Sequence, residues 1–105
     1  MILRRGRFRE LVERQLDLFE EDEAELLEDA HEADAAWTNA AAEVTEELYG
    51  DYQLVADAIG ERLYEIRESY ARSLNDPTAR EYRIAFNRAV ERRLGRYATF
   101  VDGDL

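Results

Sequence analysis

The sequence predicts an all-α fold, an antiparallel bundle of three or four long helices. Apolar residues recur every three or four positions along most of the 105-residue chain, which is the period of an amphipathic helix. The chain contains one proline and five glycines, far fewer turn signals than a β-sandwich needs. Its length suits one domain, residues 1–105, and its hydrophobic fraction of 46% is ordinary for a folded protein.

The first predicted helix covers about residues 7–36 and the second about residues 39–74. We place a break between them because Thr38 and Asn39 are suitable N-caps for a following helix. The two apolar stripes join almost in phase, so the pattern leaves open whether the first helix continues past residue 36.

A kink or second break is expected at Gly50, because glycine commonly ends helices. The clearest boundary is at Asp76 and Pro77. Aspartate can cap a helix, and proline suits its first position because the missing N–H would be unpaired there anyway. The last predicted helix covers about residues 77–100, and we expect a frayed tail at 101–105.

The composition is acidic and contains no lysine. With 25 acidic residues and 14 arginines, the formal net charge is −11. Residues 10–57 contain 17 acids and one arginine, whereas residues 58–105 contain eight acids and nine arginines. The two halves can therefore attract each other within the fold or across a dimer. A GC-rich genome and a salt-loving host both explain the composition, and the sequence does not distinguish them.

The sequence argues against several classes of function. The absence of cysteine excludes disulfides, thiolate metal sites and cysteine nucleophiles. No glycine-rich phosphate loop and no nucleophile–base pair is present, so we expect no enzymatic activity and no cofactor. No apolar run approaches the roughly 20 residues that span a bilayer, and no signal peptide is evident. We therefore expect a cytoplasmic protein with no membrane partner.

The first helix also provides a candidate self-association surface. At about 1.5 Å per residue the last helix spans only about 35 Å, and a longer first helix would extend beyond it. The apolar stripe left uncovered would then be buried by a second copy. The residues of this candidate surface are Phe8, Leu11, Val12 and Phe19. We therefore expect a homo-oligomer, in particular a dimer.

A charged residue interrupts the apolar face of the last helix. Arg93 must reach a carboxylate or the solvent there. We expect a buried ion pair with Asp22, which interrupts the stripe of the first helix, or with another acid of that helix. Such a pair fixes the register of two helices or contributes to a dimer seam.

Glu28 and His31 form a Glu-x-x-His motif, which supplies metal ligands in di-iron helical bundles. The motif points away from the apolar stripe, whereas bundle metal sites face inward. Acids are also so frequent that the spacing is expected by chance. We therefore favour a surface histidine on an acidic face and keep a metal-binding, ferritin-like oligomer as an alternative.

Arg88, Arg92 and Arg96 form a row on the last helix that resembles a phosphate-binding surface. The net charge of −11 opposes attraction to nucleic acid, so we favour pairing of these arginines with acids of the first helix. A nucleic-acid-binding regulator is the second alternative.

The favoured function is a non-enzymatic interaction or scaffold module that self-associates, with a partner protein that carries a basic patch.

Overall fold

The computed structural model describes residues 6–95 and Tyr97. Within them the chain forms four α-helices: α1 (Arg9–Asp22), α2 (Ala24–Thr38), α3 (Thr45–Ala71) and α4 (Asp76–Leu94). A short 3₁₀ turn, Ala42–Val44, precedes α3. The described residues contain no strand, so the predicted all-α bundle is confirmed.

Helices α1 and α2 form one bent rod rather than a hairpin. Only Glu23 separates them, and its backbone angles, φ −111° and ψ 31°, depart from helical values. The Glu23 amide still donates to the Phe19 carbonyl at 2.8 Å, and the Leu27 amide donates to the Glu23 carbonyl at 3.0 Å. Helical hydrogen bonding therefore continues across the bend, which no glycine or proline marks.

The predicted break after the first helix is confirmed, but its caps act differently. Thr38 is the last residue of α2, and the side chain of Asn39 donates to the carbonyl of Ala35 at 2.9 Å. Asn39 thus closes one helix instead of starting the next. The following helix begins only at Thr45, after the 3₁₀ turn.

Helix α3 runs without interruption through Gly50, so the kink or break expected there is absent. Asn75, rather than Asp76, caps α4, because its Oδ1 accepts a hydrogen bond from the Thr78 amide at 3.1 Å. Pro77 lies within the first two positions of the helix, where its missing N–H is harmless. Arg96 and residues 98–105, which include the predicted tail, lie outside the described residues.

The helices run up, down and up, so α4 returns beside α1. α1, the second half of α3 and α4 build a three-helix core of large side chains that are almost fully buried. These are Val12, Leu16, Phe19, Ile59, Leu63, Tyr82, Phe86 and Val90. Burial of each such side chain contributes about 1.5–3 kcal/mol.

Beyond the end of α4, α2 and the first half of α3 continue as a pair. Arg93, one residue before the end of α4, lies level with Asp17 and Glu20 near the end of α1. The molecule is consequently elongated, 54 Å long and 24 by 23 Å across. We call residues 23–57 the arm and the other described residues the body.

Candidate interaction surfaces

The predicted self-association surface lies inside the protein's own core. Phe8, Val12 and Phe19 are only 8%, 1% and 2% exposed, and Leu11 is half-buried. The ring of Phe8 meets the ring of Tyr82 in α4 edge-on, with 5.5 Å between centroids. The predicted uncovered stripe at the start of the first helix is therefore wrong. α4 starts level with the beginning of α1 and covers these apolar side chains.

The rod formed by α1 and α2 does extend beyond α4, but it does so at the C-terminal end of α2. α2 packs against the first half of α3, and the buried apolar side chains of the arm are Ala30, Tyr52 and Ala56. Trp37 stays half-buried against Tyr52, with ring centroids 5.6 Å apart. Tyr97, which follows α4, also packs on Tyr52, with 6.5 Å between ring centroids. Among the described residues the arm thus has two helices and a thin core, where the body has three helices and a thick one.

The arm carries the whole net charge of the protein. Residues 23–57 contain eleven of the 25 acids and none of the 14 arginines, so the rest of the chain has 14 of each and is neutral. Nine of these eleven acids are exposed. At the base of the arm, Glu23 binds Nε of Arg62 at 3.1 Å. The net negative charge of the molecule is therefore concentrated in the arm.

Large apolar side chains accompany this charge. Val44, Tyr49 and Leu54 are exposed on the arm, and Leu54, at 71%, is the most exposed large apolar side chain of the described residues. Asp51 and Asp57, three residues before and after Leu54 in α3, share its side of the helix and are exposed. Leu54 is therefore an apolar group between two carboxylates.

Arg93 joins α4 to α1, through partners other than the predicted Asp22. Its Nη1 donates to Glu13 Oε1 at 2.9 Å, and its Nη2 donates to Asp17 Oδ1 at 2.8 Å and to Glu20 Oε1 at 3.0 Å. Burial opposes the charge, but the hydrogen bonds with Asp17 and Glu13 outweigh it and raise the pKa of Arg93. Asp22 is exposed and is not among these partners, so the predicted pair with Asp22 is wrong; the partners are other acids of the first helix, which was the stated alternative. The Arg93 side chain is 23% exposed, so these ion pairs are only partly buried.

The most deeply buried charge is Arg67 in α3, which is 1% exposed. Its Nε donates to Glu68 Oε2 at 2.8 Å and its Nη1 donates to Asn87 Oδ1 at 2.9 Å. Arg83 donates two further hydrogen bonds to the Glu68 carboxylate, at 2.8 and 2.9 Å. The hydrogen bonds from Arg83 lower the pKa of Glu68, burial opposes this, and Arg67 lowers it further.

This network holds α3 to α4 and is structural in character. No buried side-chain nitrogen or oxygen among the described residues lacks a hydrogen-bond partner. The sequence does contain a signal for Arg67, because it lies four residues after Leu63 and four before Ala71, both buried. The helical period alone therefore places it on the core face.

Gln15, the other polar residue in the first stripe, is also satisfied inside the body. Its Oε1 accepts a hydrogen bond from the Tyr82 hydroxyl at 2.8 Å. Tyr82 is fully buried, and burial raises its pKa to about 12. The pair links α1 to α4 without exposing a reactive group.

Glu28 and His31 both lie exposed on α2. Across residues 6–95 and Tyr97, no group of three or more His, Asp or Glu side chains is placed to hold a metal ion. The geometry of the described residues therefore gives no support to the metal-binding alternative.

The arginine row is partly neutralised. Arg88 and Arg92 are exposed on α4, and Nη2 of Arg92 binds Glu13 Oε2 at 3.1 Å. At the start of the described chain, Nη1 of Arg7 binds Glu81 Oε1 at 3.2 Å. Arg96, the third member of the row, lies outside the described residues. These ion pairs weaken the row as a continuous phosphate-binding surface.

Arg7, Arg88 and Arg92 line a groove of about 700 Å³ between the start of α1 and α4. We call it the basic groove. Its charged residues are Arg7, Arg9, Arg88 and Arg92 with Glu13 and Glu81, and its apolar residues include Val12 and the exposed Ile84. The groove has an excess of positive charge and runs along the body from the end opposite the arm as far as Glu13 and Arg92.

No protein-family model matches the chain, and no curated protein or solved structure matches it at a significant level. Among the described residues, no helix is both long and apolar enough to cross a membrane. The function must therefore be inferred from the two surfaces themselves.

Proposed function

We propose that the protein is a non-enzymatic interaction module whose acidic arm binds a basic segment of another protein chain. The observation that carries the proposal is the segregation of charge, with the net charge of −11 in residues 23–57 and a neutral remainder. Charge gathered at one end of an elongated molecule steers a positive partner to that end and disfavours negative partners.

The apolar residues of the arm indicate what kind of segment binds. Leu54 is 71% exposed, and it contributes binding energy when an apolar side chain of a partner covers it. An amphipathic helix with arginine or lysine beside leucine satisfies both features, because its cations meet Asp51 and Asp57 while its apolar side covers Leu54. Such a helix also adds a third helix to the two that the described residues of the arm contain.

A labelled synthetic peptide, an amphipathic helix built from arginine, leucine and alanine, tests the proposal by fluorescence anisotropy. We expect saturable binding that weakens with salt. Leu54→Ala should weaken it about ten-fold, because a covered leucine side chain contributes about 1.5–3 kcal/mol and a factor of ten corresponds to about 1.4 kcal/mol.

The matched control is Leu18→Ala, the same substitution at a position on α1 that is 52% exposed. It removes an equivalent side chain from the body and should leave peptide affinity unchanged. Equal affinity of the two variants, or no binding of the peptide by the wild type at low salt, would refute docking on the arm.

A further inference from the structure

We infer that the basic surface that receives the arm is the basic groove of a second copy of this chain, so that two copies associate side by side in opposite directions. The inference rests on the proposed function, because it names the partner of the arm. It also gives self-association a different surface from the buried stripe around Phe8.

The groove complements the arm in charge and in polarity. Arg9 and Arg88 form no ion pair within the described residues, so the groove has two arginines that its own glutamates do not neutralise. Ile84, 43% exposed, provides an apolar contact among these arginines. The arm has the reverse pattern, an exposed leucine among carboxylates, so each surface offers what the other lacks.

The shape of the molecule requires that this contact be intermolecular. The groove lies on α1 and α4 of the body, whereas the arm extends away from the body along a molecule that is 54 Å long, so the arm does not reach the groove of its own chain. In an antiparallel pair, each arm lies beside the groove of the other copy, which is the reciprocal contact of a two-fold dimer.

The antiparallel direction is also the one that electrostatics selects. In a parallel pair the two arms, each with a charge of −11, would lie side by side. In the antiparallel pair they lie at opposite ends of the dimer, so the repulsion between the arms acts over a longer distance and is weaker. The attraction between arm and groove acts at contact.

Two variants test the contact between arm and groove, and each reverses the charge of one of the two surfaces. Arg88→Glu reverses the charge of the groove, and the double variant Asp51→Arg, Asp57→Arg reverses the carboxylates around Leu54. These positions are exposed, so the fold should be preserved, which far-ultraviolet circular dichroism checks. Arg80→Glu makes the same change at an exposed position of α4 outside the groove and is the matched control.

Sedimentation velocity at low salt measures association. We expect the wild type and the Arg80→Glu control to form a dimer. Each reversed variant alone should associate at least about ten-fold more weakly, because both of its contacts then join like charges. An equimolar mixture of the two reversed variants should restore the dimer, since each contact in the mixed pair joins opposite charges.

A wild type that stays monomeric at low salt overturns the inference, and so does a mixture of reversed variants that fails to associate. The peptide assay separates this failure from failure of the proposed function. A wild type that binds the basic peptide through Leu54 but stays monomeric refutes only the second copy as partner. A wild type that neither binds the peptide nor dimerises refutes the docking role of the arm as well.

Discussion

The network around Arg67 gives the sharpest prediction of stability. Glu68→Gln keeps the shape of the side chain but removes the charge that binds Arg67 and Arg83. Arg67 is 1% exposed and would keep its hydrogen bond to Asn87 and at most a neutral one to the glutamine oxygen, so a nearly buried charge loses its counter-charge. Breaking a buried ion pair from one side typically costs 3–5 kcal/mol.

The expected loss for this protein is near the lower end of that range, about 3 kcal/mol. Arg83 is 30% exposed and regains water when its partner is lost, so it adds little. Urea unfolding followed by circular dichroism measures the effect. With an m-value of roughly 1.5 kcal/mol per molar, the midpoint should fall by about 2 M.

Glu65→Gln on the same helix is the matched control. Glu65 is 66% exposed, and its Oε1 lies 3.3 Å from Nη1 of Arg62, so its loss should cost less than about 0.5 kcal/mol. If Glu68→Gln lowers the free energy of unfolding no more than Glu65→Gln does, Arg67 does not depend on Glu68 and the reasoning is refuted.

The same carboxylate makes the fold sensitive to acid. The folded-state pKa of Glu68 lies below its usual value of 4.5, so its contribution is fully present above that value. The contribution is lost as the pH falls from there through the folded-state pKa, because the unfolded chain binds the proton first. The free energy of unfolding of Glu68→Gln should therefore vary less with pH below about 4.5 than that of the wild type.

Three further outcomes are expected. The folded-state pKa of Tyr82 is raised to about 12, so the free energy of unfolding of the wild type should fall as the pH rises from 10 to 12. The fall, about 2–3 kcal/mol, should vanish in Tyr82→Phe and persist in the control Tyr49→Phe. Gly50→Ala should raise stability by about 1 kcal/mol in thermal unfolding, because Gly50 lies inside a helix and nothing within 4 Å obstructs a Cβ; a lower melting temperature would contradict this. Asn75→Ala should cost about 1 kcal/mol by loss of the cap on α4, whereas Asn75→Asp should retain it.

Local sequence signals predict the helices well and their long-range packing poorly. The apolar period and the turn at Asn75–Pro77 lead directly to α3 and α4, because both depend on neighbouring residues. The bend at Glu23 has no glycine or proline to announce it. Gly50 stays helical because the neighbouring side chains of Tyr49 and Tyr52 pack against Trp37, which outweighs a local preference of about 1 kcal/mol.

The interaction surfaces show the same limit. The acidic bias of residues 10–57 is evident in the sequence. The sequence does not show which of these acids form ion pairs with arginines. Only the structure shows that Glu13, Asp17 and Glu20 bind arginines of α4, whereas nine of the eleven acids of the arm are exposed beyond the end of α4. The division depends on where α4 stops along the first helix, which is a tertiary property.

The arm can finally be considered as a linear polyelectrolyte. From Glu23 to Thr38 it extends about 24 Å at 1.5 Å per residue. Its eleven acids thus give roughly one negative charge per 2 Å, close to the one per 1.7 Å of duplex DNA. Such a rod gathers an atmosphere of small cations. A basic chain that docks on the arm displaces these ions, and their release into solution becomes a driving force for association.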